Sequence, residues 1–410
     1  MLLGIWRGYE PLIGPRPAAL CSLSKCDNLG INQTGKTMLD ATSKSYIEDI
    51  WWAGVKAVRG TESVLKALKE QQVSRPDQII AVGKAATAMA RAAMEHFGAD
   101  IPTLVVTKYD HTEALPNCCK VIEAAHPVPD ENSLVAGYEI HKTVRTMPEN
   151  SHLLMLVSGG ASALAEFPND GMTLTGLMAE NQQMLAQGYD IHAMNARRKE
   201  LSQIKGGRLL ATFQGELVTT LAISDVQGDD LSVIGSGIGD APEFYRFSFD
   251  PFIVASNAIA RHASAKAATD MGLNVLTNSE TLYADVYDLA ASIGETLRHA
   301  PPGLYIWGGE PTIVLPPDPG QGGRNQALAL ALAREVSGII GLTILVAGTD
   351  GTDGPTDAAG GFASGATWSE DAARFMRQAD AGRFLEQAGA LFKSGPTGTN
   401  VMDLLIALKT

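Results

Sequence analysis

The sequence predicts an α/β fold with mainly parallel, Rossmann-like sheets in more than one domain. Three observations carry this. A short apolar strand, a glycine-bearing turn and an alanine-rich helix recur along the chain. The strands are continuously apolar rather than alternating, as in sheets covered on both faces. The 410 residues, 45% of them hydrophobic, exceed one typical domain and can fill more than one core.

Helical spacing begins near Asp40 and carries Ile47, Ile50, Trp51, Val55 and Val58. QIIAVG (78–83) then leads into a helix that starts at Ala85. Further strands are expected within 103–107, 153–164, 217–226, 252–256, 303–310 and 342–351. The pattern breaks and restarts near Pro242–Pro251, which divides the chain into an N-terminal extension (1–37), a larger domain (38–245) and a smaller one (246–410). In such sheets ligands bind beyond the carboxyl ends of the strands.

A formal charge of −13 without a long Lys/Arg run argues against a nucleic-acid partner. It leaves room for a small anion, which needs only a few local cations. The four cysteines, Cys21, Cys26, Cys118 and Cys119, form neither a disulfide framework nor a zinc pattern, so a reducing, cytoplasmic setting is expected. No apolar run reaches membrane-spanning length, and Arg7, Glu10, Pro11, Pro15 and Arg16 interrupt the first residues as a signal segment. Residues 1–37 are read as poorly structured, with Met38 a candidate start.

Gly30–Thr37 satisfies the phosphate-loop pattern G-x-x-x-x-G-K-[ST] literally. A working loop needs a buried strand before it, and the preceding LCSLSKCDNL is polar and interrupted. The match is read as coincidence.

The chemistry is expected at strand ends. Lys84 follows QIIAVG at a helix start, where the dipole disfavours a cation; the position suggests an ammonium aimed at a carboxylate or phosphate. Ser158, Gly159, Gly160 and Ser162 follow LLMLV and can cradle an anion, or simply turn the chain. Lys205 and Gly206 close a cationic run from Asn195 to Arg208, either as ligand contacts or as a helix end. Asp225, Asp229 and Asp230 end another strand; hard oxygens suit Mg²⁺, and Asp225 could instead accept a hydroxyl proton. Arg324 repeats the Lys84 logic before ALALALAREV. Gly348, Thr349 and Asp350 open a Gly/Thr/Asp turn that could meet phosphate or metal, and Gly395–Asn400 forms another. His126 is a lone histidine, read as structural. No dinucleotide fingerprint and no G-x-S-x-G elbow is present, so anion loops with carboxylates and no nucleophile point to phosphoryl transfer.

Taken in order, GKAATAMA (83–90), HPVPDENSL (126–134), VSGGASAL (157–164), RKELSQIKGGRL (198–209), SDVQGDDL (224–231), GGEPTIV (308–314), GGRNQALALA (322–331), AGTDGTDGPTDAAG (347–360) and PTGTNVMDLLI (396–406) resemble the class II glycerate 2-kinases. The likeness spans roughly residues 38–410, with a MOFRL domain in the C-terminal half. It implies two α/β domains with the active site in the cleft between them, and ATP-dependent phosphorylation of D-glycerate at its 2-hydroxyl. It implies that Lys84 and Arg324 are substrate and catalytic cations. Asp225, Asp229 and Asp350 are candidate Mg²⁺ ligands. A nucleotide and a small hydroxy acid are the expected partners, without nucleic acid or membrane, and a homodimer is left open.

Members are often labelled hydroxypyruvate reductases; an oxidoreductase acting on hydroxypyruvate is the alternative. Departures from the family pattern lie in ligand-facing loops. Ile238-Gly239 follows Ser236-Gly237 in place of Pro-Thr, Glu200 replaces a histidine, Ala161 replaces a third glycine, and Glu166 stands where an apolar residue is common. A related hydroxy acid is therefore a second candidate substrate.

Overall fold

The computed structural model describes residues 41–410 apart from 113, 114, 117, 188 and 190. The 1–37 extension, the Gly30–Thr37 match, Cys21 and Cys26 lie outside the described residues. Residues 38–410 make one compact unit.

Six strands build the first sheet: β1 (Gln78–Val82), β2 (Thr103–Lys108), β3 (Cys119–Ala124), β4 (His152–Val157), β5 (Leu217–Ile223) and β6 (Ser248–Ala255). Their order is β3-β2-β1-β4-β5-β6, and every pairing is parallel. The order reverses between β1 and β4, the place where ligands sit in open doubly wound sheets. Helices cover both faces. Ile79 and Ala81 of β1 face one apolar cluster, and Ile80 and Val82 face the other. This is why the strands read as unbroken apolar runs.

The second sheet comprises β7 (Val275–Leu282), β8 (Gly303–Gly309), β9 (Leu342–Gly348), β10 (Gly360–Ser364), β11 (Leu391–Phe392) and β12 (Asp403–Lys409), in the order β11-β10-β9-β12-β8-β7. The parallel expectation holds in the first sheet and gives way here. Only β7 and β8 pair in parallel; β12, returning from the far end of the chain, inserts antiparallel between β8 and β9. That insertion sets Asp403, the first residue of β12, opposite both Gly309 and Gly348, the last residues of their strands.

The two sheets share a core. The helix Ala41–Ala57 buries Ile47, Ile50, Trp51 and Val55 in the cluster that also holds Val346 and Phe362 of the second sheet. Trp51 meets the ring of Phe392 edge to face at 5.1 Å. Thr399 Oγ1 donates to the Val58 carbonyl at 2.6 Å, tying the last loop to the end of that helix. Among the described residues no helix is long and apolar enough to cross a membrane.

Candidate active site

The turns after β1 and β4 interlock at the switch point. Gly83 has φ 129°, and a Cβ there would lie 2.1 Å from Ser158 Oγ, so only glycine fits. Ser158 Oγ accepts the Ala85 N–H at 3.1 Å, and the Gly159 carbonyl accepts the Lys84 N–H at 3.0 Å. Lys84 is thereby fixed one residue before the turn into the helix Ala86–Phe97. Gly159 lets the Asp225 carboxylate approach its Cα: a Cβ would sit 1.9 Å from Asp225 Oδ2. A Cβ on Gly160 would touch both the His126 ring and the Lys84 stem.

Lys84, Ser158–Gly160, Asp225 and His126 thus meet at the carboxyl ends of β1, β4 and β5. Desolvation raises the Asp225 carboxyl pKa; Lys84 opposes the rise and Glu310 adds to it. His126, read from sequence as structural, is drawn into this group. Burial, with Lys84 and Lys108 nearby, pulls its imidazole down to about 4, so the ring is neutral at physiological pH. The nearby Asp130-x-x-Ser133 is a capping box for the helix Glu131–Arg145, which accounts for the polar half of that motif.

Across from this group stands Arg324, the first residue of the helix Arg324–Glu335. Its Nε donates to Asp403 Oδ2 at 2.7 Å, and its Nη1 lies 2.9 Å from Glu310 Oε1. Burial works against the guanidinium charge, but Asp403 and Glu310 outweigh it and raise the pKa further. Asn325 Nδ2 donates to Asp403 Oδ1 at 2.9 Å, so both oxygens of that buried carboxylate are occupied. Asn257, at the start of the helix that follows β6, donates to the carbonyls of Val401 and Asp403. Glu310 links the two groups, pairing with Arg324 while raising Asp225.

Thr349 is buried and structural: its Oγ1 donates to the Met402 carbonyl at 2.6 Å. Asp350 Oδ1 accepts the Thr352 N–H at 2.9 Å. Asp353 of the same turn is buried, and its carboxylate accepts the N–H groups of Asn325 and Gln326. Ser162 Oγ lies 2.9 Å from Ser236 Oγ. Among the described residues no three His, Cys, Asp or Glu side chains converge as a metal-binding group, so Asp225, Asp229 and Asp350 do not assemble as a ligand set.

Residues 46–243 match a family model described as a domain of unknown function, DUF4147, and residues 303–403 match the MOFRL family. A D-glycerate 2-kinase of Thermotoga maritima is 35% identical, the match covering 90% of this chain and 100% of that protein. A glycerate 2-kinase of Pyrococcus horikoshii is 33% identical, over 88% of this chain and 94% of its own. The chain belongs to the class II glycerate 2-kinase family. The crystal structure of a glycerate kinase from Thermotoga maritima superposes with a TM-score of 0.84 at 33% identity, over 90% of this chain and 100% of that one.

One departure from the glycerate 2-kinase pattern has a structural partner. Glu166 is buried and ion-paired with Lys205, and it accepts the Ser202 hydroxyl at 2.5 Å. Lys205 is 2% exposed, and Gly206 donates its N–H to the Ser236 carbonyl at 2.8 Å. The Lys205 ammonium and the Gly206 N–H therefore each meet a partner inside the protein. Glu310, Asp403 and Asp353 join the site without having been named as site residues from sequence, and His126 joins it although its sequence context read as structural.

Proposed function

We propose that this chain transfers the γ-phosphoryl group of ATP to the 2-hydroxyl of D-glycerate, giving 2-phospho-D-glycerate. One observation carries the reading: two helix-start cations, Lys84 and Arg324, follow strands of different sheets and each has carboxylates beside it, Asp225 acting electrostatically on Lys84 and Glu310 and Asp403 paired with Arg324. Phosphoryl transfer asks mainly for positioning and charge neutralisation, which such a pair provides.

Lys84 and Arg324 hold the glycerate carboxylate and the transferred phosphoryl oxygens. Asp225 accepts the proton of the 2-hydroxyl; a desolvated carboxylate is a stronger base than a solvated one. Neutral His126 offers a hydrogen bond beside Lys84 without adding charge. Ser158–Ser162 and Asp350 border the phosphates, while buried Thr349, Lys205 and Gly206 shape the wall behind them.

The charges favour a divalent ion. Lys84 and Arg324 face Asp225, Glu310 and Asp403, an acidic excess that must still receive two anionic substrates. Mg²⁺ needs only one or two carboxylates when phosphates and water complete its shell, and Glu310, with its side chain 49% exposed beside Arg324, would supply one. Bound with the nucleotide, the ion supplies charge neutralisation between phosphate oxygens.

A hydroxypyruvate oxidoreductase would place a cofactor pyrophosphate at the turn after β1. That turn carries Gly83-Lys84-Ala85-Ala86 and no glycine-rich fingerprint. Free thiols at Cys118 and Cys119 support a reducing, cytoplasmic setting. Incubation with ATP, Mg²⁺ and D-glycerate, followed by phosphorus NMR, tests the reading. A 2-phosphoglycerate signal is expected. A 3-phosphoglycerate product would overturn the position, and product only from another hydroxy acid would overturn the substrate.

A further inference from the structure

We infer that Asp353 is a positioning residue for Arg324, capping from a separate loop the helix that Arg324 begins; its catalytic consequence rests on the kinase reading above. The residue before that helix is Gly323, which has no side chain to satisfy the first free amides. Asp353 fills the role from thirty residues along the chain. Its Oδ1 accepts the Asn325 N–H at 3.1 Å, its Oδ2 accepts the Gln326 N–H at 2.8 Å, and Gln326 Nε2 donates to the same Oδ2 at 3.0 Å. Room for this exists only because position 323 is glycine: a Cβ there would lie 2.3 Å from the Asp353 carboxyl carbon.

The arrangement grips Arg324 twice. Asp353 fixes the backbone of the first turn, and Asp403 fixes the side chain through Nε. Both grips converge on one turn, because Thr349 holds the Met402 carbonyl next to Asp403 through its backbone N–H and its hydroxyl. The Gly348–Gly354 turn, read from sequence as a phosphate or metal loop, therefore acts through its second aspartate by setting where the guanidinium enters the cleft.

The test is a double-mutant cycle between Asp353→Asn and Arg324→Lys, with steady-state kinetics for both substrates. Asp353→Asn should lower kcat by about tenfold to a hundredfold, the scale of an ångström-level misplacement. In the Arg324→Lys background the same change should cost less than about twofold, because the group it positions is already altered. Gly323→Ala, which displaces the carboxylate without removing it, should reproduce the loss. Equal losses in both backgrounds, or near wild-type kcat in Asp353→Asn, would overturn the proposal. Amide exchange at Asn325 and Gln326 gives a reading independent of turnover. Faster exchange in Asp353→Asn is expected even if wild type does not phosphorylate glycerate, and unchanged exchange would refute the cap itself.

Discussion

Arg324 and Asp403 stand 79 residues apart in sequence and 2.7 Å apart in space, joined through a single guanidinium Nε. The contact leaves the outer face of the guanidinium turned toward Glu310 and the cleft. Replacing Arg324 by Ala should lower kcat/KM by about three orders of magnitude, and Lys should restore little, since a point charge cannot serve Asp403 and a substrate at once. Asp403→Asn should cost less in kcat than Arg324→Ala. The reverse ranking in steady-state kinetics would detach Asp403 from the positioning role.

Lys84→Ala should reduce kcat by about a hundredfold or more with the fold intact, because the turn is held by backbone groups and Ser158 rather than by the ammonium. Circular dichroism and turnover measured on the same sample check both halves of this expectation.

Asp225 carries a pH signature. Desolvation raises its carboxyl above the ordinary value of 3.8, so the proton-accepting form is lost as pH falls through that raised value. The acid limb of the kcat profile should therefore lie above the ordinary aspartate range, with the limb and most activity gone in Asp225→Asn. A limb at or below the ordinary aspartate range would remove Asp225 as proton acceptor.

Glu166 and Lys205 are a buried pair, with side chains 5% and 3% exposed. Glu166→Ala leaves an uncompensated ammonium, whose pKa burial already lowers, and should destabilise the protein by about 3–5 kcal/mol. Replacing both by apolar residues of similar size should recover most of that loss. Urea denaturation of wild type and the two variants distinguishes the outcomes.

Asp353 sets a stability trend of opposite sense to a solvated carboxylate. Desolvation pushes its carboxyl up to about 7, above the ordinary value of 3.8 that an unfolded chain keeps, despite the amides it accepts. Between these values the folded state holds the extra proton, so the stabilisation is complete below about pH 4 and is lost as pH rises through about 7. Denaturation across that window should show a falling contribution that is absent in Asp353→Asn.

Much of the first sheet was legible because its central strands are unbroken apolar runs between glycine turns. β3 and β7 were not: they lie at sheet edges, and CKVIEA and VLTNSETL are only partly buried and mix polar residues freely. β12 was hidden differently. DLLIALK is apolar enough, but a short apolar run does not declare its direction or its partners. Lys84, Asp225 and Arg324 could be found because strand end plus helix start is a local signal. Asp403 and Glu310 could not, since their place depends on the register of β12 against β8 and β9. Asp353 was present in the repeated Thr-Asp-Gly turn, yet nothing local tells which aspartate points inward.

The helix Ala41–Ala57 precedes the whole first sheet and yet packs against the helix Asn257–Asp270, β9 and β12. A cut near Pro242 would strip the second sheet of the cover that Trp51 gives Phe392 and leave an orphaned greasy helix on the other fragment. Each piece alone should aggregate, and the two coexpressed should reassemble through that helix. The first helix is in this sense a fastening for the last sheet.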